Sequence, residues 1–214
     1  PKLITSMHTQ VKDLDYDTPP VLSAAVTEDR AWKVLQEQKN ISAVPVANED
    51  GTLYGMLSRE DVASYNMQLA TAGVLEEVPL FNVLSVLEGK ILNEAGETTD
   101  VIAGEVTIAL PQSRENLLFN KKESIVFCGH QPDMIRRALE LDVNALVLCQ
   151  AELDEELRSL PTTTCIISTP HDAYRAARLI FQSAPISRIC RTQDLVCFHL
   201  EDRVDEVREQ VLKH

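Results

Sequence analysis

The sequence predicts an α/β fold, and three observations carry that prediction. From about residue 101 onward, strand-like apolar runs alternate with helical patterns. The strand runs are nearly continuous in apolar residues, as strands buried on both faces of a mostly parallel sheet are. The composition is that of an ordinary globular chain: 44 % hydrophobic and 25 % charged over 214 residues, enough for one large domain or two small ones.

Elements can be assigned in order. Thr27 is placed to cap a helix whose first turn carries Glu28 and Asp29, with Ala31, Val34, Leu35 and Trp32 as its apolar stripe. A strand follows from Ile41 to Ala47, then an Asn48–Gly51 turn, then a strand from Thr52 to Leu57. Ser58 or Arg59 leads into a helix beginning near Glu60. Residues 71–100 read as a linker with one helix, about Leu80 to Leu92, and then a loop through Asn93.

Four strands are then expected, at Val101–Leu110, Ser124–Cys128, Ala145–Cys149 and Thr162–Ile167. Helices are expected at Pro132–Leu141, Asp154–Leu160 and Pro170–Gln182, the last capped by Thr169 with Pro170 at N1 and His171 at N2. A strand at Asp194–Leu200 and a helix at Asp202–Leu212 close the chain.

Charge and composition exclude several functions. With 33 acidic against 20 basic residues the net charge is −13, which opposes binding to a nucleic-acid backbone. Residues 69–186 hold −8 of that charge. Only seven glycines are present, none after Gly129, and neither GxGxxG nor a Walker loop can be written. The five cysteines, 128, 149, 165, 190 and 197, form no CxxC pair, and the first three lie in strand-like runs. They read as buried thiols of a reducing compartment. No signal-peptide pattern opens the chain and no apolar run reaches about 18 residues, so the expected location is cytoplasmic. No two of the histidines at 8, 130, 171, 199 and 214 are adjacent, and no metal-ligand spacing occurs. A Cys–His pair between His171 and Cys128 or Cys149 is the one catalytic arrangement worth testing. Lys121–Lys122 and Arg136–Arg137 read as solvated faces.

The most informative stretch is Gly55-Met56-Leu57-Ser58-Arg59-Glu60-Asp61. Glycine in a strand permits close backbone approach. A hydroxyl at the strand–helix junction and a carboxylate three residues on suit a ribose and a phosphate, although an ordinary Ser-capped helix reads the same way. Taken with Ser42-Ala43-Val44-Pro45-Val46 and the Asp50-Gly51 turn, the stretch resembles the CBS motif over residues 12–66. Ile189 to His214 resembles the opening strand and helix of a second CBS motif. Residues 101–186 resemble a DRTGG domain, although Gly129-His130-Gln131 stands where the naming motif is expected. The run Ser168-Thr169-Pro170-His171-Asp172-Ala173-Tyr174, with Ala177-Arg178-Leu179-Ile180 and Gln182-Ser183, is similar to the regulatory CBS–DRTGG–CBS insert of family II, manganese- or cobalt-dependent inorganic pyrophosphatases.

That resemblance implies a first CBS motif at 1–70 (a small sheet with two helices), a DRTGG-like α/β domain at 101–186, and the start of a second CBS motif at 187–214. It also implies AMP as an inhibitor, diadenosine polyphosphates as activators, and a homodimer. The catalytic domains, with their manganese or cobalt, are expected outside this chain, which itself is expected to bind and regulate without hydrolysing. In this reading adenine lies against Met56 and the backbone of Ser42, Ala43 and Val44, with Asp61 at the ribose. The Ser58 hydroxyl, the Arg59 guanidinium and the helix start hold phosphate. The competing expectations are a nucleotide-blind dimerisation scaffold, or a sensor belonging to another enzyme.

Overall fold

The computed structural model describes residues 9–109 and 122–213. Two sheets organise them. The first is built from β1 (Leu22–Ser23), β2 (Ala43–Ala47) and β3 (Leu53–Ser58), in that order, with β1 parallel and β3 antiparallel to β2. Its helices are α1 (Glu28–Glu37) and α2 (Arg59–Ala72). Alternation with period 2 sends Val44, Val46 and Leu57 inward, where they meet Ala31 and Leu35 of α1 and Val62 of α2. The β2–β3 turn closes as its sequence predicts. Gly51 takes φ +82°, and Asp50 accepts from both the Thr52 N–H (3.0 Å) and its hydroxyl (2.6 Å).

Gly73, at φ +64°, ends α2 and starts the second sheet. Its elements are β4 (Val74–Pro79), α3 (Leu80–Leu87), β5 (Lys90–Ile91), α4 (Glu94–Glu97), β6 (Val101–Ile108), β7 (Ser124–Cys128), α5 (Pro132–Glu140), β8 (Ala145–Cys149), α6 (Glu155–Arg158), β9 (Cys165–Thr169) and α7 (Ala173–Leu179). Strand order is β4-β6-β7-β8-β9-β5, parallel from β6 to β9 and antiparallel at both edges. Every residue of β7 and β8 is buried, which is why those runs read as continuously apolar. Ile125, Phe127 and Val147 face α3 and α7, while Val126, Leu146 and Leu148 face α5 and α6.

Several expectations are corrected here. Residues 71–100 are no linker: they supply both edge strands, β4 and β5. The helix expected to run to Leu92 stops at Leu87, because Glu88 turns left-handed (φ +51°) and Gly89 donates back to Leu84 O at 2.8 Å. A side chain at Gly89 would come within 2.8 Å of Ile167. Short edge strands carrying Glu76, Glu77 and Lys90 show no apolar period, so the sequence conceals them. The expected Thr162–Ile167 strand begins at Cys165 instead, because Asp142 holds the Thr163 N–H (2.8 Å) and both the Thr162 and Thr163 hydroxyls in a turn. Asp172, not Thr169, caps α7, accepting from Arg175 N–H at 3.0 Å. The Thr169 hydroxyl donates to Leu87 O at 2.7 Å.

No strand forms at 194–200. That segment is tied to the other end of the chain, through Lys12 N–H to Leu200 O (2.8 Å) and Val204 N–H to Thr9 O (2.9 Å), and then enters α8 (Val204–Val211). Leu110 and Lys121 lie outside the described residues. Arg136 pairs with Glu156 at 2.7 Å. Among the described residues, no helix is long and apolar enough to cross a membrane.

The two sheets meet along residues 183–191. Glu28 donates to Ala184 O (3.0 Å), Ile186 to Val26 O (2.9 Å) and Ser187 to Ala24 O (3.1 Å). Ile186 is buried in the core of the smaller sheet.

Candidate functional site

The junction of β3 and α2 places the chemistry. Ser58, extended at φ −109°, is the N-cap of α2: its hydroxyl accepts from Asp61 N–H at 3.1 Å. The Asp61 carboxylate in turn accepts from Ser58 N–H at 2.9 Å through one oxygen. Across the hairpin, Ala43 stands opposite Ser58 and Pro45 opposite Met56. Strand alternation puts these residues on the face away from Val44 and Leu57. There Ala43, Met56, Ser58 and Asp61 line a pocket of about 140 Å³, completed by Arg191.

Arg191 arrives from the segment that returns out of the larger sheet. Its N–H and C=O exchange hydrogen bonds with Met56, each 2.9 Å. Gly55 makes this possible, since a Cβ there would lie 2.5 Å from Arg191 O and 3.2 Å from Cys190 Sγ. Tyr54 braces the same segment through its hydroxyl to Ser187 O (3.3 Å). Burial pushes the Cys190 thiol up from its ordinary value, with the nearby Asp61 charge adding to the shift. Among the described residues, the Arg191 guanidinium makes no hydrogen bond or ion pair, and one Asp61 oxygen is unshared. The pocket lining thus combines a carboxylate, a hydroxyl, a thioether and Arg191, whose side chain is exposed.

The structure brings four of the seven sequence-predicted site residues together: Ala43, Met56, Ser58 and Asp61. Val44 has its side chain wholly in the core and offers only backbone. Ser42 is exposed, just ahead of β2 and outside the pocket lining. Arg59 is corrected: its guanidinium donates to Ile41 O (3.1 Å), Gln38 O (3.1 Å) and Leu35 O, fastening the carbonyl end of α1. Arg191 is the cation that sequence reading missed. Its signal was its place in Ile189-Cys190-Arg191, the opening of the CBS-like C-terminal stretch, but nothing local tied that stretch to Met56.

A larger hollow, about 660 Å³, lies between Leu92–Glu97 and Arg158–Thr162. Its half-buried Asn93 is consumed by Thr164 O and by the N–H groups of Gly96 and Ile166, and its Thr162 hydroxyl by Leu139 O and Asp142. Glu94 and Glu97 outnumber Arg158 along its lining, whereas Arg191 balances Asp61 in the smaller pocket, which is therefore the better place for an anion. The Cys–His arrangement does not assemble. His171 pairs with Glu88 at 3.0 Å, and burial pushes the Cys128 and Cys149 thiols up to about 12 and Cys165 to about 11. Among the described residues, no three His, Cys, Asp or Glu side chains converge to hold a metal, so manganese or cobalt finds no fitting donor set here.

Comparison with known proteins follows the same division. Residues 11–67 match the CBS domain family and residues 82–183 the DRTGG domain family, the latter opening inside α3. The chain is 27 % identical over 213 residues to the cobalt-dependent inorganic pyrophosphatase of Clostridium perfringens (strain 13 / Type A). That alignment covers 97 % of this chain but 38 % of the relative's length. The chain is also similar to the crystal structure of the CBS and DRTGG domains of the regulatory region of Clostridium perfringens pyrophosphatase, complexed with the activator diadenosine tetraphosphate. The TM-score is 0.81 and the identity 27 %, over 96 % of this chain and 90 % of that one. With both domains matched in the same order, the chain is a CBS–DRTGG region homologous to the regulatory region of a family II inorganic pyrophosphatase.

Proposed function

We propose that this chain is an adenine-nucleotide-binding regulatory region, and that it governs an inorganic pyrophosphatase whose catalytic domains lie outside it. The observation that carries the reading is the convergence of Met56, Ser58, Asp61 and Arg191 on one pocket, in a chain whose structural relative was crystallised with diadenosine tetraphosphate.

Each group has a part. The Arg191 guanidinium takes a phosphate, supplying in an acidic chain the local positive charge that an anion needs. The Met56 thioether lies against the adenine, with the backbone of Ala43 alongside. The unshared Asp61 oxygen accepts from a ribose hydroxyl, and the Ser58 hydroxyl donates while its lone pair caps α2. At about 140 Å³ the pocket is well below the roughly 300–1,000 Å³ of small-molecule sites, so it holds one end of the ligand. The CBS-like stretch that begins at Ile189 supports the rest of the cleft. AMP as inhibitor and diadenosine polyphosphate as activator, acting across a homodimer, complete the proposal, since a bridging ligand and a single nucleotide favour different arrangements of paired sites.

Calorimetric titration of the protein with AMP and with diadenosine tetraphosphate tests it, alongside Asp61→Ala and Arg191→Ala. Binding by the wild type, weakened roughly tenfold or more in each variant, is the expected result. Binding that neither substitution weakens moves the site elsewhere, and no binding at all favours the scaffold.

A further inference from the structure

We propose that Glu28 is a proton-controlled latch on the seam between the two sheets, closed when its carboxyl is neutral and loosened when it ionises. Glu28 is 2 % exposed, an unusual place for an acid without a cationic partner. One carboxyl oxygen accepts from Asn66 Nδ2 at a long 3.3 Å. The other is buried and has no hydrogen-bond partner among the described residues.

Its surroundings belong to both halves of the molecule. The Glu28 N–H is bonded to Ala184 O, and Thr27 bridges Pro185, so the acid sits where α1 meets the returning chain. On α2, Asn66 faces it, and Tyr65 packs onto the core of the larger sheet. The charged neighbour acting on Glu28 is Asp29 on α1, and the titratable Tyr65 on α2 lies within reach of Glu28 as well as of Glu76 on β4 and Arg188 on the returning segment. Arg188 donates to Glu77 O and Lys33 pairs with Asp29, so neither cation is paired with the buried carboxylate. Desolvation raises the Glu28 carboxyl above its ordinary 4.5, the Asn66 bond lowers it and Asp29 raises it further.

The helix start at Glu28 favours the charged form, but burial outweighs it. A carboxyl that holds its proton more tightly when packed makes the seam strongest below the ordinary glutamate value. The seam then weakens as pH rises towards the raised value, and levels off above it. The proton is exchanged with solvent each time the seam opens. The latch involves no ligand and is independent of the nucleotide pocket.

Two measurements on the chain decide it. Carbon-13 titration of the Glu28 carboxyl is expected to give a midpoint above those of the exposed glutamates, and a midpoint at or below theirs overturns the proposal. Amide exchange at Ile186 and Ser187, whose N–H groups cross the seam, is then followed against pH in the wild type and in Glu28→Gln. After correction for intrinsic exchange, wild-type protection falls with rising pH, by about tenfold for each unit of raised pKa, while the variant stays level. Identical pH dependence in the two chains overturns the latch. Should Glu28→Gln fail to fold, the wild-type titration alone is decisive.

Discussion

The carbonyl oxygen of Arg191 stands 2.5 Å from where a Cβ on Gly55 would be. A hydrogen-bonded pair between Met56 and Arg191 holds it there. The glycine is thus required by the protein's own backbone, and through it the pocket acquires its cation. Gly55→Ala is expected to lower stability by about 1–3 kcal/mol, the range of an overpacked core. It is also expected to weaken nucleotide binding by displacing Arg191. Urea unfolding and calorimetry on the same variant check both effects.

Arg59 and Arg191 are expected to respond differently to substitution. Its three carbonyl acceptors lie at and just beyond the end of α1, and losing them is expected to cost about 1.5–3 kcal/mol. Arg59→Ala therefore lowers the unfolding midpoint more than Arg191→Ala does, while Arg191→Ala has the larger effect on nucleotide affinity. A reversed order would return Arg59 to the phosphate.

Thiol reactivity follows burial. Cys197 is exposed, whereas Cys128, Cys149 and Cys165 are buried with their thiols pushed up to about 12, 12 and 11. In native protein at pH 8, iodoacetamide is expected to label Cys197 first and Cys190 more slowly. The other three label only after denaturation. Peptide mass spectrometry at timed intervals reads the order directly.

Asp142 predicts a pH effect opposite in sign to that of Glu28. Its bonds from the Thr163 N–H and the Thr162 hydroxyl hold its carboxyl below the ordinary 3.8. A depressed carboxyl stabilises the fold above the ordinary value, and that stability is lost as pH falls below 3.8 towards the lowered value. The stability difference between wild type and Asp142→Asn is expected to be constant above about pH 5 and to shrink below it. Urea unfolding over a pH series from neutral to acid measures it.

Much was legible from the sequence alone: the α/β class, the β2–β3 hairpin with its Asp50-Gly51 turn, the Thr27 and Ser58 caps, and the parallel strands β6 to β9. These signals arise between residues a few positions apart, where side chains meet orphan backbone groups or repeat with the period of one element. Four of the seven proposed site residues came with them, because the capping box and the hairpin register are local too. Only the tertiary structure could show that Arg191 joins Met56, that Arg59 is spent on α1, and that residues 74–91 form both edges of a sheet. It alone could show that Glu28, an exposed-looking acid at a helix start, is buried, with Asn66 on its carboxyl and the returning chain on its backbone N–H. Those outcomes depend on which distant segments pack together. That choice is made by burying whole apolar faces, and no single residue carries a mark of it.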